Sequence, residues 1–182
     1  MNFYDLVKKR SSVRSYSVKP VELEKIERCI ESVRLAPSAC NSQPWKFIII
    51  TDPHIKNNVA QESYGKLISF NKFAEQAPVI VAVISEPAKL TAQIGGLITD
   101  KNFYLIDIGI AAEHFCLQAS EEGLGTCMLG WFNENKVKKI LKVPKNKRVI
   151  LLITLGYPVN DKIISKNRKN IKEIYCFNEY KN

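Results

Sequence analysis

No apolar run in this chain approaches the roughly 18 residues that a membrane-spanning helix requires, so no helical membrane protein is expected. The opening Met1-Asn2-Phe3-Tyr4-Asp5 has neither a basic region nor an apolar stretch, and no secretory signal is expected from it. The five cysteines (Cys29, Cys40, Cys116, Cys127 and Cys176) are scattered, and none stands in a Cys-x-x-Cys pair. That spacing indicates neither a zinc site nor a disulfide framework, and the thiols read as reduced ones of a cytoplasmic protein. A Gly-x-Gly-x-x-Gly turn opening a helix after a strand is missing, which excludes the usual dinucleotide fingerprint. No catalytic triad, metal-ligand cluster or carboxylate pair is apparent. Neither a recognition-helix nor an RNP-like pattern occurs, and aromatics are not interleaved with the basic runs, which argues against nucleic acid as partner. There is no internal repeat.

What is present is an ordinary globular composition, 46% apolar and 25% charged over 182 residues, enough for one domain with a sizeable core. A net charge of +9 favours an anionic partner without choosing one.

Asn2 caps a short helix over Phe3–Lys9, and Leu23, Ile26, Ile30 and Val33 recur at helical spacing in a second helix over Val21–Arg34. Trp45–Ile50 reads as a buried strand. Asp52-Pro53 pairs an N-cap with proline at the first helical position, opening a helix towards Glu62. The stretch Gly65–Gln76 is indistinct. Pro78–Ile84 is a β-branched run suited to a central strand. Ser85–Thr99, with Pro87 and Gly95-Gly96, reads as a mobile segment. Asp100–Glu122 is a helix whose apolar residues are not confined to one face, so it must be covered on nearly all sides. A subunit interface would supply that cover, with a charge at Ile108 or Ala112 as its test; a central helix under a sheet and loops is the competing reading. Thr126–Trp131 and Val149–Leu155 are further strands, with a helix from Asn133 through Leu141 between them. The pattern is α+β. Val159–Asn182 is polar, basic and without periodicity, either disordered or an arm ordered by a partner.

Four blocks can carry chemistry. Arg10-Ser11-Ser12-Val13-Arg14 sets two guanidiniums and two hydroxyls within five residues, a donor set matched to phosphate oxygens. By itself it reads first as a basic helix end followed by serine-rich turn chemistry. Pro37-Ser38-Ala39-Cys40-Asn41-Ser42-Gln43-Pro44-Trp45 presents side-by-side amide donors and acceptors suited to the edge of a heterocycle such as a flavin pyrimidine, or else a polar capping loop. Gly123-Leu124-Gly125-Thr126-Cys127-Met128-Leu129-Gly130-Trp131 would let backbone approach a flat ligand, or else is a helix stop and a strand glycine. Lys166-Asn167-Arg168-Lys169 is a second phosphate clamp or a solvated charge run.

Together these blocks resemble the nitroreductase family of FMN flavoproteins. The resemblance runs through R-S-S-x-R, P-S-x-x-N-x-Q-P-W, D-x-G-x-A at Asp107, Gly109 and Ala111, then G-L-G, and G-Y-P followed by a basic residue. It covers nearly the whole chain in order and spacing. It implies an α+β sandwich with a mostly antiparallel central sheet flanked by helices. The long buried helix would lie at a homodimer interface, with one FMN site per subunit built from both chains. Residues 1–182 would form a single domain, with 159–182 as an arm on the partner subunit; Ile174, Tyr175 and Phe177 would be its anchors. By the same resemblance Arg10 meets the FMN phosphate with Ser11 and Ser12 beside it, and Arg14 lies at the pyrimidine O2 side. Pro37, Ser38, Asn41 and Gln43 surround the ring and ribityl chain, Leu129 and Gly130 lie over N5, and Arg168 with Lys166 reaches the phosphate. The departures are a short chain, an unassigned Gly65–Lys101 segment where members place substrate-covering elements, and a lone His114 read as structural.

The implied activity is electron transfer from NADH or NADPH to a small organic acceptor, nitroaromatic or quinone-like, in two half-reactions at one face. Protein groups would orient the reactants and supply charge, with Arg14 as the cation near N1–O2. A non-catalytic flavin sensor or structural dimer and, less well supported, a basic nucleic-acid module are the competing classes. Colour, turnover and salt-dependent DNA affinity separate them.

Overall fold

The computed structural model describes residues 2–65, 69–160 and 166–180. Four strands, β1 (Trp45–Ile50), β2 (Val79–Ser85), β3 (Gly125–Leu129) and β4 (Val149–Gly156), form one sheet in the order β1-β2-β4-β3. Every pairing is antiparallel, with a register shift between β2 and β4 at Val83/Ile84. This is the α+β sheet that the β-branched runs predict.

The period of two in β2 assigns its faces. Val79, Val81 and Val83 point into one core with Ile153 and Leu155; Ile80, Ala82 and Ile84 point into another with Leu152. Burial on both faces explains why the strand is apolar without alternation. The first core is closed by α2 (Leu23–Arg34) and α5 (Phe103–Glu121), the second by α3 (Pro53–Gln61), the 3-10 turn Lys72–Gln76 and α6 (Glu134–Ile140).

The helix starts follow their capping chemistry. Asn2 accepts from Asp5 N–H at the head of α1 (Phe3–Lys9), Asp52 from Ile55 N–H at α3, and Asn133 from Lys136 N–H at α6. Contrary to the reading of Ser85–Thr99 as mobile, Leu90–Thr99 is a helix, α4. Its Gly96 is a packing position rather than a breaker: a Cβ there would lie 2.7 Å from the Lys101 carbonyl oxygen and 3.6 Å from the Phe103 ring. Of the indistinct Gly65–Gln76 stretch, 66–68 lie outside the described residues.

Helix α5 lays Ile108, Ala111, Ala112, Phe115, Cys116 and Ala119 on the sheet, and the Phe115 ring stacks on Phe47 at 5.9 Å. Its other side carries Leu105, Ile106 and Gly109, all exposed, and half-buried Ile110. The described part of the chain therefore leaves this side of the apolar helix uncovered at Leu105, Ile106 and Gly109. Ile108 and Ala112, at 1% and 0% exposure, belong to the subunit's own core. A charge there would test that core, so the expectation that these two positions lie on an outer, interface-forming face is corrected; the exposed face carries Ile106 instead. His114 places Nδ1 2.9 Å from Ile110 O, as a structural histidine does.

Candidate functional site

Residues 10–16 leave α1 and run beside the free edge of β3. Ser12 bridges Thr126 in parallel, and Val13 N–H donates to Thr126 O at 2.9 Å. Buried Tyr16 fixes the far end, its hydroxyl donating to Val13 O at 2.8 Å and lying 2.6 Å from Thr154 Oγ1. Gly125 makes the approach feasible: a Cβ there would sit 2.6–3.0 Å from three side-chain atoms of Val13. The expectation that Gly125 opens space for a flat ligand is thus replaced, since the space is taken by Val13. Gly123, at φ +76°, ends α5, and a Cβ on Gly130 would meet nothing within 4 Å, leaving that backbone open.

This strip and the β3 entrance line a cavity of about 290 Å³ that includes Arg10, Ser11, Arg14, Gly123, Gly125 and Thr126. Arg10 is paired with Glu113 on α5, Nε to Oε1 at 3.4 Å. Lys166 Nζ donates to Val7 O at 2.7 Å. Burial pushes the Lys166 ammonium below its ordinary pKa, and the neighbouring Arg10 and Arg168 push it the same way. Cations from the two ends of the chain thus lie within electrostatic reach of one another, with Glu113 acting on Lys166 in the opposite sense, and an added anion would be favoured there. Lys166 and Arg168 are not among the residues lining the cavity, so the anion cluster adjoins it rather than filling it. Arg14 is exposed, with Nη1 3.4 Å from Ser12 O and its guanidinium 6.0 Å from the Phe73 ring centre.

The second block lies elsewhere. Loop 37–44 is tied to the first half of α5 through Ala39 N–H donating to Asp107 Oδ1 at 3.0 Å. Asp107 is buried, and its Oδ2 has no hydrogen-bond partner among the described residues. Cys40, Asn41 and Gln43 stand at φ 53°, 50° and 48°, left-handed values costly for side chains other than Asn or Gly and typical of functional loops. Gln43 donates its N–H to Ser38 Oγ at 2.9 Å and its amide to Asn41 Oδ1 at 2.8 Å, so the loop braces itself with Ser38 half-buried and Asn41 and Gln43 exposed. Pro37 is exposed. Asp107 and the cavity-lining Ser120 are 13 positions apart on α5, or about 20 Å along the axis. Within the chain the structure therefore brings Arg10, Ser11 and Arg14 to one cavity, with Ser12 on the same strip and Lys166 and Arg168 adjoining Arg10, but not Pro37, Ser38, Asn41 and Gln43. Leu129 is 3% exposed and packs in the second core, so only its backbone can face a ligand. Gly130 lines a separate hollow of about 270 Å³ beside Tyr104, Leu105 and Phe132.

Sequence reasoning missed Glu113 and Tyr16. Glu113 had a signal, as the one acidic residue between Asp107 and Glu121 in an apolar helix. Among the described residues no His/Cys/Asp/Glu group is arranged to hold a metal ion, and no helix is long and apolar enough to cross a membrane.

Residues 7–157 match the model of the Nitroreductase family. The chain is 29% identical to a putative NADH dehydrogenase/NAD(P)H nitroreductase of Archaeoglobus fulgidus, over 84% of this chain and 83% of that one. It is 27% identical to an iodotyrosine deiodinase of Haliscomenobacter hydrossis, over 89% and 82%. Its fold superposes on an FMN-dependent nitroreductase of Clostridium difficile R20291 with a TM-score of 0.80 and 26% identity, covering 98% of this chain and all of that one. With the family model matched across most of the chain and the fold shared, one conclusion follows: this protein is a member of the nitroreductase family, an oxidoreductase family.

Proposed function

We propose that the chain binds FMN as a homodimer and passes electrons from NADH or NADPH to a small organic acceptor, nitroaromatic or quinone-like. The observation that carries this reading is the cavity lined by Arg10, Ser11 and Arg14, with Lys166 and Arg168 within electrostatic reach of Arg10's end of it, a donor set suited to a terminal monophosphate. When bound, FMN supplies the hydride and electron chemistry. The chain's own groups bind and orient. Arg10, Lys166 and Arg168 hold the phosphate, Arg14 sets a fixed positive charge at the pyrimidine edge, and the open backbone at Leu129–Gly130 admits a flat ring.

Loop 37–44 supports the dimer. Its amides are braced and exposed about 20 Å along α5 from the strip that holds the phosphate donors. A two-fold contact through the open face of α5 brings the first half of one helix beside the second half of the other. Pro37, Ser38, Asn41 and Gln43 then complete the partner's site. Ile106 and Leu105 would fill that contact, and the exposed Ile174, Tyr175 and Phe177 of the C-terminal arm would lie on the partner. The arm's link, 161–165, lies outside the described residues.

The test is identification of the cofactor. Flavin released by denaturation and separated by chromatography is expected to be FMN at one per subunit; FAD, or no flavin after reconstitution with FMN, would overturn the reading. An acceptor panel that includes halogenated phenols separates a nitro or quinone reductase from a dehalogenating relative.

A further inference from the structure

Arg10 has five N–H donors in a rigid fork, and the structure engages one side of it. The closest approach of the pair is Nε to Glu113 Oε1 at 3.4 Å, and no hydrogen bond from the terminal Nη groups of Arg10 to the protein occurs among the described residues. Glu113 projects from α5, which is fixed on the sheet by Ala112, Phe115 and Cys116 on either side of it. Its carboxylate thus stands on a rigid element, whereas Arg10 sits at the C-cap of a short, wholly unburied helix. Lys166 and Arg168 approach the same spot.

Resting on the FMN reading above, we propose that Glu113 is a positioning residue of the anion site: it takes the Nε side of Arg10 and leaves both Nη groups presented to the phosphate. The opposite outcome, a carboxylate that repels the phosphate, has the weaker physical case. Glu113 is 45% exposed, so water screens its field, and two cations, Arg10 and Lys166, lie within its electrostatic reach. The Arg10 side chain is 20% exposed, and a flexible arginine must lose its rotamer freedom on binding unless it is already held.

The experiment is an FMN titration of deflavinated protein, followed by flavin fluorescence, for the parent, Glu113→Ala, Glu113→Gln, Arg10→Ala and the double variant Arg10→Ala/Glu113→Ala. Circular dichroism would verify that each is folded. Glu113→Ala is expected to raise the dissociation constant about two- to fivefold, the range of a part-exposed pair. Glu113→Gln, which keeps an acceptor at the same reach, is expected to recover part of that loss. In the Arg10→Ala background the Glu113→Ala change is expected to be silent, since it acts through Arg10. Tighter binding by Glu113→Ala, or the same loss with and without Arg10, would overturn the positioning role while leaving the FMN site standing. No change in affinity on Arg10→Ala would instead overturn the phosphate site itself, and the role of Glu113 with it.

Discussion

Gly125→Ala is the sharpest probe of how the strip 10–16 is built. The added Cβ would lie 2.6 Å from Val13 Cγ2, 2.8 Å from its Cβ and 3.0 Å from Cγ1. Ordinary carbon contacts are about 3.5–4.0 Å. Because the Val13 Cβ itself is too close, no rotamer of Val13 relieves the clash, and the backbone must move. That backbone is held by Val13 N–H to Thr126 O at 2.9 Å and by the Tyr16 hydroxyl on Val13 O at 2.8 Å. Overpacking of this kind costs about 1–3 kcal/mol, and a midpoint shift of about 2–4 °C per kcal/mol is expected for a chain of this size. Displacing the strip also moves Arg10, Ser11 and Arg14, so FMN affinity should fall along with stability. The assay is thermal unfolding by circular dichroism with FMN titration of the same samples; Gly130→Ala, where a Cβ meets nothing within 4 Å, is the packing control for the unfolding measurement alone. An alanine at 125 that melts with the parent and binds FMN as tightly would refute the reasoning.

Arg10→Ala should weaken FMN binding by about tenfold to over a hundredfold through loss of a charge-assisted contact, with little change in melting temperature. Ile106→Glu, on the open face of α5, should yield a folded monomer that has lost flavin, read by light scattering and absorbance, whereas Ala112→Glu, at 0% exposure, should unfold the subunit. Burial pushes the thiols of Cys29 and Cys116 up to about 12, so both should stay protonated and unlabelled by a thiol reagent through neutral and mildly alkaline pH, while exposed Cys40 and Cys176 react; mass spectrometry of labelled peptides would show it.

The strands and most helices were legible because single local signals fix them. Trp45–Ile50 and the β2 run Val79–Ser85 are β-branched and bounded by turn residues, and Asn2, Asp52 and Asn133 cap where their side chains can reach a backbone N–H. What escaped needs tertiary knowledge. Gly95-Gly96 looks like a breaker until the α4–α5 turn is seen to press on Gly96, and Gly125 looks like a ligand platform until Val13 occupies the space. Leu129 was legible in principle, since strand alternation puts it opposite exposed Met128 and hence in the core. The anion cluster joins Arg10 to Lys166 across most of the chain, a contact that no local pattern encodes; the ordered motifs pointed to it through family resemblance.

The central claim is that this chain holds FMN and cycles it between a nicotinamide donor and an acceptor. Anaerobic titration of the purified, FMN-loaded protein with NADH and with NADPH, followed at the visible flavin band, tests it most directly. The account predicts a yellow protein bleached by one equivalent of at least one donor per flavin, with colour restored by a nitroaromatic or quinone. A protein that stays colourless after reconstitution, or one whose bound flavin neither donor bleaches, would contradict it.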